Sequence, residues 1–287
     1  MLGIIFGLIA SIGQGVGYVY IKKSYKELSP SIAFLFNAMF AILLWVPFAL
    51  ISGVDFSNIG QVFIIAFISA ILAEAYVMYV FSKGELSLTS TIFSTYPIFT
   101  VIISVLFLDE SATGLVWLAI GIVIFGVLIT SLPNKINKND LDKRAYLLWP
   151  LSAAILVGIS DSISKDIVDQ TNAATFLFAL AFAEIIIALI FLRIEKVSLK
   201  QFKEVRSNFD KYKNAVIGSF AISSTLIAFW LAFEHTLASI ASPLTATYAV
   251  ALLIFAHYIL EDELSRKDKI GIFITISGTI LLSYLLA

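Results

Sequence analysis

Two stretches of the chain repeat one another without a gap. Residues Ser87 to Glu110 (SLTSTIFSTYPIFTVIISVLFLDE) and Ser239 to Asp262 (SIASPLTATYAVALLIFAHYILED) align at a constant offset of 152. Ser87 falls on Ser239, Ser90 on Ser242, Thr95-Tyr96 on Thr247-Tyr248, Ile102 on Ile254 and Leu108 on Leu260. The register continues into the next segment, where Ile120, Ile122, Ile124 and Gly126 meet Ile272, Ile274, Ile276 and Gly278. Chance similarity between apolar stretches drifts within about two helical turns, whereas this register survives roughly 50 residues, which marks an internal duplication. The chain must therefore fold as two copies of one unit.

Composition says which solvent those copies face. Over 287 residues the chain is 60% hydrophobic and 14% charged, with a mean hydropathy of +0.97. That is more apolar surface than a soluble core of this size can hide, so the chain reads as an integral membrane protein. The apolar runs are long and continuous, as spanning helices require, not the short alternating stretches of a barrel. The absence of Cys excludes disulfides and thiolate chemistry, and two histidines, His235 and His257, cannot form a His-rich metal site. No H-E-x-x-H, G-x-S-x-G or phosphate-binding G-x-x-x-x-G-K-[ST] pattern occurs, so neither an enzyme nor an ATP-driven pump is expected, and no cofactor. A net charge of -1 without a basic tail points to no nucleic-acid partner. The first residues lack a basic n-region and run on as a membrane-length helix, so no cleavable signal peptide is expected.

Ten spans are predicted: Leu2–Ile21, Ser31–Ile51, Gly60–Phe81, Ser87–Phe107, Ala112–Ser131, Tyr146–Ser164, Ala173–Arg193, Lys213–Phe233, Ser239–Leu260 and Lys269–Leu286. The polar stretch 132–144 separates a first five-helix repeat, 1–131, from a second, 145–287. The first two helices of each half also match, at an offset of 142, through Lys23 and Lys165, Phe34-Leu35-Phe36 and Phe176-Leu177-Phe178, and Phe40 and Phe182. Because five is odd, the second copy enters the membrane from the opposite side, an inverted repeat. Charge tests this independently: of 19 Lys and Arg, only Lys165 falls outside the connections after helices 1, 3, 5, 7 and 9. Basic loops stay in the cytoplasm, which puts both termini outside a bacterial or archaeal plasma membrane.

This arrangement, together with a helix in each half that ends in an acidic pair and is followed by a small residue and then a Gly (Glu110, Ala119, Gly126; Asp262, Gly271, Gly278), resembles the EamA-type members of the drug/metabolite transporter superfamily. The resemblance covers essentially the full length. It implies an all-α membrane fold of ten helices around a midplane site. It also implies secondary transport of a small organic solute, with a third helix that lines the cavity and peripheral second and seventh helices. Such proteins often carry an Arg in helix 2; here the polar mid-helix residue is Asn37, and Ala119 stands before Gly126.

Helix 4 places Ser87, Ser90, Thr91, Ser94 and Thr95 on one helical face, a hydroxyl stripe that serves close packing or lines a cavity. Pro97 removes a backbone donor within that helix, and Pro243 does so in its mate. Tyr96 and Tyr248, next to Thr95 and Thr247, sit at equivalent mid-helix positions, so the pseudo-twofold axis brings them to opposite sides of a midplane site. Each phenol there contacts substrate or bonds a neighbouring helix. Intramembrane carboxylates are candidates for function by default, and Glu74, Asp161 and Glu184 are the coupling candidates for protons. Glu74 stands first because Tyr76 and Tyr79 flank it on the cavity-lining helix; Glu184 alternatively pairs across an interface. Gln14 and Trp230 complete the expected substrate contacts. Gly3, Gly7, Ser11 and Gly15 form a packing seam on helix 1, and the Ala119/Gly126 and Gly271/Gly278 pairs a clamp between helices 5 and 10. The expectation is a carrier, monomeric or homodimeric, that exports an amino acid or similar amphipathic metabolite by alternating access. Sugars, nucleotide conjugates or lipid-like solutes are the alternative substrates.

Overall fold

The computed structural model describes residues 1–25, 27–83, 92–132, 145–198, 208–260 and 264–286. The described residues form helices, with no strand among them. Helices are what hydrocarbon demands, because each satisfies its own backbone donors and acceptors. In chain order they are α1 (Leu2–Ser24), α2 (Pro30–Ser52), α3 (Ile59–Ser69, continuing through a π-helical turn at Ala70–Ala75 into Tyr76–Lys83), α4 (Tyr96–Phe107) and α5 (Gly114–Ser131). There follow α6 (Ala145–Gln170), α7 (Ala173–Ile194), α8 (Phe209–His235), α9 (Ala238–Ala246 and Tyr248–Leu260) and α10 (Arg266–Leu285). Eight spans among the described residues are long and apolar enough to cross a membrane. The remaining two are α4, only 12 residues long, and α6, which carries Asp161, Lys165, Asp166 and Asp169.

Helix ends follow local chemistry. Pro30 opens α2, where its missing N–H costs nothing. The Asn172 side chain accepts from the Thr175 N–H at the start of α7, and Ser265 and Asp268 form a reciprocal capping box on α10. The sixth helix runs on to Gln170, past the predicted end at Ser164, and its added turn carries an ion pair between the buried Lys165 and the exposed Asp169.

Packing is arranged in pairs. α1 lies on α8 and α9, α6 on α3 and α4, α2 on α7, α5 on α10, and α4 on the first half of α9. The closest approaches occur at small residues, as the seam on helix 1 and the clamp anticipated. A Cβ on Gly15 would stand 2.6 Å from the Ala251 Cβ, and one on Gly158 would stand 2.6 Å from the Phe99 Cβ, so α1 meets α9 as closely as α6 meets α4. Gly126 abuts Thr275, and Gly271 abuts Thr130, which brings the α5 and α10 backbones together. The outer surface is apolar: Leu43, Ile51, Phe107, Phe125, Phe273 and Ile280 are all exposed. A belt of this kind is tolerable only where lipid covers it. The Lys23 ammonium donates to the Ile259 carbonyl at 3.5 Å, anchoring the end of α1 to the end of α9.

Candidate functional site

Two helix breaks build the site. The described part of α4 starts again after a turn at Ser94-Thr95, and α9 is interrupted by a turn at Thr247, so each break immediately precedes the paired tyrosine, Tyr96 or Tyr248. The two turns use the same bonds. The Thr95 hydroxyl donates to the Ile92 carbonyl at 2.7 Å, and the Thr247 hydroxyl to the Leu244 carbonyl at 2.6 Å. The backbone N–H groups of the same threonines donate to the same carbonyls, at 3.1 and 3.2 Å. The Thr95 carbonyl then accepts from the Ile98 N–H at 3.0 Å, as the Thr247 carbonyl does from Val250 at 2.9 Å. Every partner obeys the offset of 152. Threonine suits such a break because its hydroxyl gives that carbonyl a second donor where the regular helical ladder is interrupted at membrane depth. Pro97 explains the break in α4, since it cannot donate into the preceding turn; its counterpart in α9 is Ala249, and Pro243 removes the donor one turn earlier instead.

Around the breaks gather the tyrosines. Tyr96 and Tyr248 are buried in one cluster with Phe93, Ala246 and Val157, and Tyr18, Tyr76 and Tyr79 pack against it. The Tyr18 ring is 5.2 Å from that of Tyr248, and Tyr96 stacks on Phe93 at 5.4 Å. The hydroxyls of Tyr96 and Thr245 are 3.4 Å apart. Tyr76 bonds Ser152 on α6 at 2.8 Å, and both Tyr76 and Tyr79 face the Trp149 ring, at 6.2 and 6.1 Å.

Two carboxylates reach this cluster. Asp161 is buried on α6 and accepts from the Thr100 hydroxyl at 3.3 Å, close enough to Tyr96 to act on it electrostatically. Glu74 is half-buried in the π turn of α3, between Ala73 and Tyr76, which pack against the cluster. A π turn widens the helix by one residue and is a common device for re-aiming a side chain. Among the described residues, no Lys or Arg forms an ion pair with Glu74 or Asp161. The arrangement presents carboxylates and phenols with no ion-paired cation among the described residues, which suits protons or a cationic group rather than an anion.

The other anticipated residues are placed as follows. Gln14 is buried on α1 one turn before Tyr18, and Ser94 is buried at the break itself. Thr247 also meets the Ser11 hydroxyl at 2.7 Å, tying α9 to α1. Glu184 is 0% exposed and accepts from Asn37 Nδ2 at 3.3 Å across the α2–α7 contact, the interfacial pairing that was its alternative reading. Trp230 stands apart from the tyrosines, edge-on to Phe176 at 4.4 Å in the α2–α7–α8 core, with its indole N–H unpartnered. Ser90, Ser87, Thr91 and linker residues 133–144 lie outside the described residues. Tyr18 and Thr245 were not singled out from sequence. Tyr18 was findable, since it follows Gln14 by four residues and so shares its helical face; the π turn at Glu74 left no sequence signal.

Against known proteins, the profile of the EamA-like transporter family matches residues 1–132 and 144–284. The chain belongs to this family. Over 199 residues the EamA-family chain is 27% identical to proteins named S-adenosylmethionine uptake transporter in Rickettsia conorii and Rickettsia felis, covering 68% of the chain and 63% of each relative. The match thus spans a little under two thirds of those relatives' length. An uncharacterized protein of Methanocaldococcus jannaschii is 29% identical over 138 residues, 46% of this chain and 97% of that protein. A crystallised protein of 10% identity superposes with a TM-score of 0.75 over 99% of this chain and 98% of its own, which shows the shared fold. The protein is a multi-pass membrane protein of the EamA-like transporter family.

Proposed function

We propose that the chain is a secondary carrier that moves a small organic metabolite bearing a cationic centre, an amino acid or a close relative of one, by alternating access with proton coupling. The observation that carries this reading is the matched pair of helix breaks at Thr95 and Thr247, which deliver Tyr96 and Tyr248 to a cluster holding Glu74 and Asp161. Discontinuous helices around a central polar site are a recurrent way to bind solute inside a bilayer. Gln14, Tyr18, Tyr76, Tyr79, Ser94 and Thr245 complete the lining. The lack of an ion-paired cation there among the described residues disfavours nucleotide and sugar-phosphate conjugates, whose phosphates call for Lys or Arg. S-adenosylmethionine, named for the Rickettsia relatives, is an amino acid carrying a sulfonium cation and fits the same chemistry.

Ten spans in two inverted repeats, 1–131 and 145–287 joined by 132–144, suit this reading. Support comes from the double profile match, from an archaeal relative whose length corresponds to 46% of this chain, and from the exchange of contacts. Numbering the second repeat from α6, α1 with α9 and α6 with α4 are equivalent pairs, as are α2 with α8 and α7 with α3, and all four pack. One chain supplies both halves, so a monomer suffices. Both termini lie outside the cytoplasmic membrane, on the charge asymmetry of the loops. Exchange of solute for incoming protons gives export; uptake, as named for the relatives, would run the same site down a different gradient.

Reconstituted protein tests this directly. Labelled S-adenosylmethionine and single amino acids should show saturable flux, accelerated by the same solute placed inside the vesicle and by an imposed pH gradient. Flux that neither saturates nor responds to internal solute identifies a channel, and no flux of any cationic or zwitterionic solute overturns the reading.

A further inference from the structure

The acidic end of α4 has no part in the site, yet it is the most firmly bonded tertiary contact between the two paired helices. Leu237 occupies the N-cap position of α9 and has no side-chain acceptor for the first N–H groups of that helix. Glu110 supplies one from another helix. Its Oε1 accepts from the Ala238 N–H at 2.7 Å and its Oε2 from the Ser239 N–H at 2.9 Å, with the side chain 8% exposed. The donors of a helix start and the positive end of its dipole favour a carboxylate, and a charge-assisted pair of bonds is strong. The chain between α4 and Glu110 is shaped for the task. Asp109 takes a left-handed conformation, φ 51, which few residues other than Gly adopt, and the Glu110 N–H turns back to the Ser104 carbonyl at 3.4 Å.

We infer that Glu110 is a gating residue for transport: it latches the end of α4 to the start of α9 and holds that face of the molecule closed, so that opening to that side requires the carboxylate to leave the α9 N-terminus. This rests on the alternating-access reading. The latch joins the outer ends of the two broken helices, on the far side of the breaks from the Lys23–Ile259 contact. Thr95 and Thr247 supply the points at which each helix can bend. Separating the helix ends at Glu110 therefore opens the site to one face without unfolding either half. The aligned pair in the other repeat, Asp262 and Ser87, lies outside the described residues.

The natural chain has no cysteine, so side-specific thiol labelling reads the gate cleanly. One reporter is S242C, on α9 one turn inside the latch, where the serine is 0% exposed. The other is T95C at the α4 break, where the threonine is half-buried. Both are labelled in oriented vesicles with a membrane-impermeant maleimide, S242C from the Glu110 face and T95C from the opposite face. Without the latch mutation, T95C should react and S242C should be protected. In the E110Q background, S242C labelling should rise by roughly tenfold or more while T95C labelling falls, since a lost charge-assisted bond shifts a two-state equilibrium by at least that factor. E110D, which keeps the charge on a shorter arm, should lie between. If E110Q speeds both reporters, Glu110 only stabilises the fold and the latch is overturned. If the asymmetry is present but unmoved by E110Q, the latch alone is overturned. If neither reporter shows asymmetry in the natural background, alternating access itself fails.

Discussion

Glu74 and Glu184 are two carboxylates on helices that pack against each other, and they live in opposite surroundings. Glu184 is sealed: Asn37 donates to one oxygen, the Ser223 hydroxyl donates to Asn37 Oδ1 at 3.1 Å, and the Trp45 indole donates to the Ser223 carbonyl at 2.7 Å. The network ties α2, α7 and α8 together. Glu74 is half-buried and stands in a π turn between Ala73 and Tyr76, both of which pack against the tyrosine cluster. Depth in the membrane is thus not what marks a working carboxylate. On the proposed carrier reading the mark is a place beside the tyrosine cluster, where a proton or solute would arrive and leave.

The sharpest way to break the contrast is Glu74→Gln. Transport driven by a pH gradient should fall to background while solute exchange in the absence of a gradient survives, as measured by labelled counterflow. If Glu184→Gln does this and Glu74→Gln does not, the assignments are reversed. Next in size is Asn37→Leu, which strips Glu184 of its described donor and leaves a buried carboxylate unpaired; a loss of about 2 to 3 kcal/mol in stability is expected by denaturation in detergent. The double variant Asn37→Leu with Glu184→Leu should recover most of that loss, since removing both partners is far less harmful than orphaning one. A smaller effect separates the two sides of the site. Tyr96→Phe and Tyr248→Phe should each raise KM by about 2- to 10-fold, the worth of one hydrogen bond, with folding intact. Equal KM for both variants and the natural protein would remove the phenols from solute binding. Smallest of all, Trp230→Phe should leave KM within about twofold, because the indole packs in the sealed core and its N–H has no partner to lose.

The sequence was most informative where a physical period had to be kept. Long apolar runs announce helices because hydrocarbon leaves the backbone no other choice, and the constant offset announces a duplication because packing ties both copies to one geometry. The small-residue seam on α1 and the clamp between α5 and α10 were legible for the same reason: close backbone approach admits little else than Gly, Ala and Ser. Tyr96, Tyr248, Tyr76, Tyr79 and Asp161 were legible as polar exceptions in apolar runs, and they do converge. Trp230 was misleading, since an aromatic residue in a membrane helix serves a core as readily as a cavity.

Sequence alone, then, determined the membrane class, the family, the repeat and the short catalogue of polar groups that a bilayer makes expensive. Which of them share a space was decided only by the tertiary structure. Partners such as Glu110 with Ala238 and Ser239, or Asn37 with Glu184, are separated by more than a hundred residues, with |i−j| of 128, 129 and 147. Helical periodicity fixes the face on which a side chain lies, but not the helix that face will meet. That choice belongs to the packing of whole helices, and it is what separates the carboxylate bonded to Asn37 in the core from the one beside the tyrosine cluster.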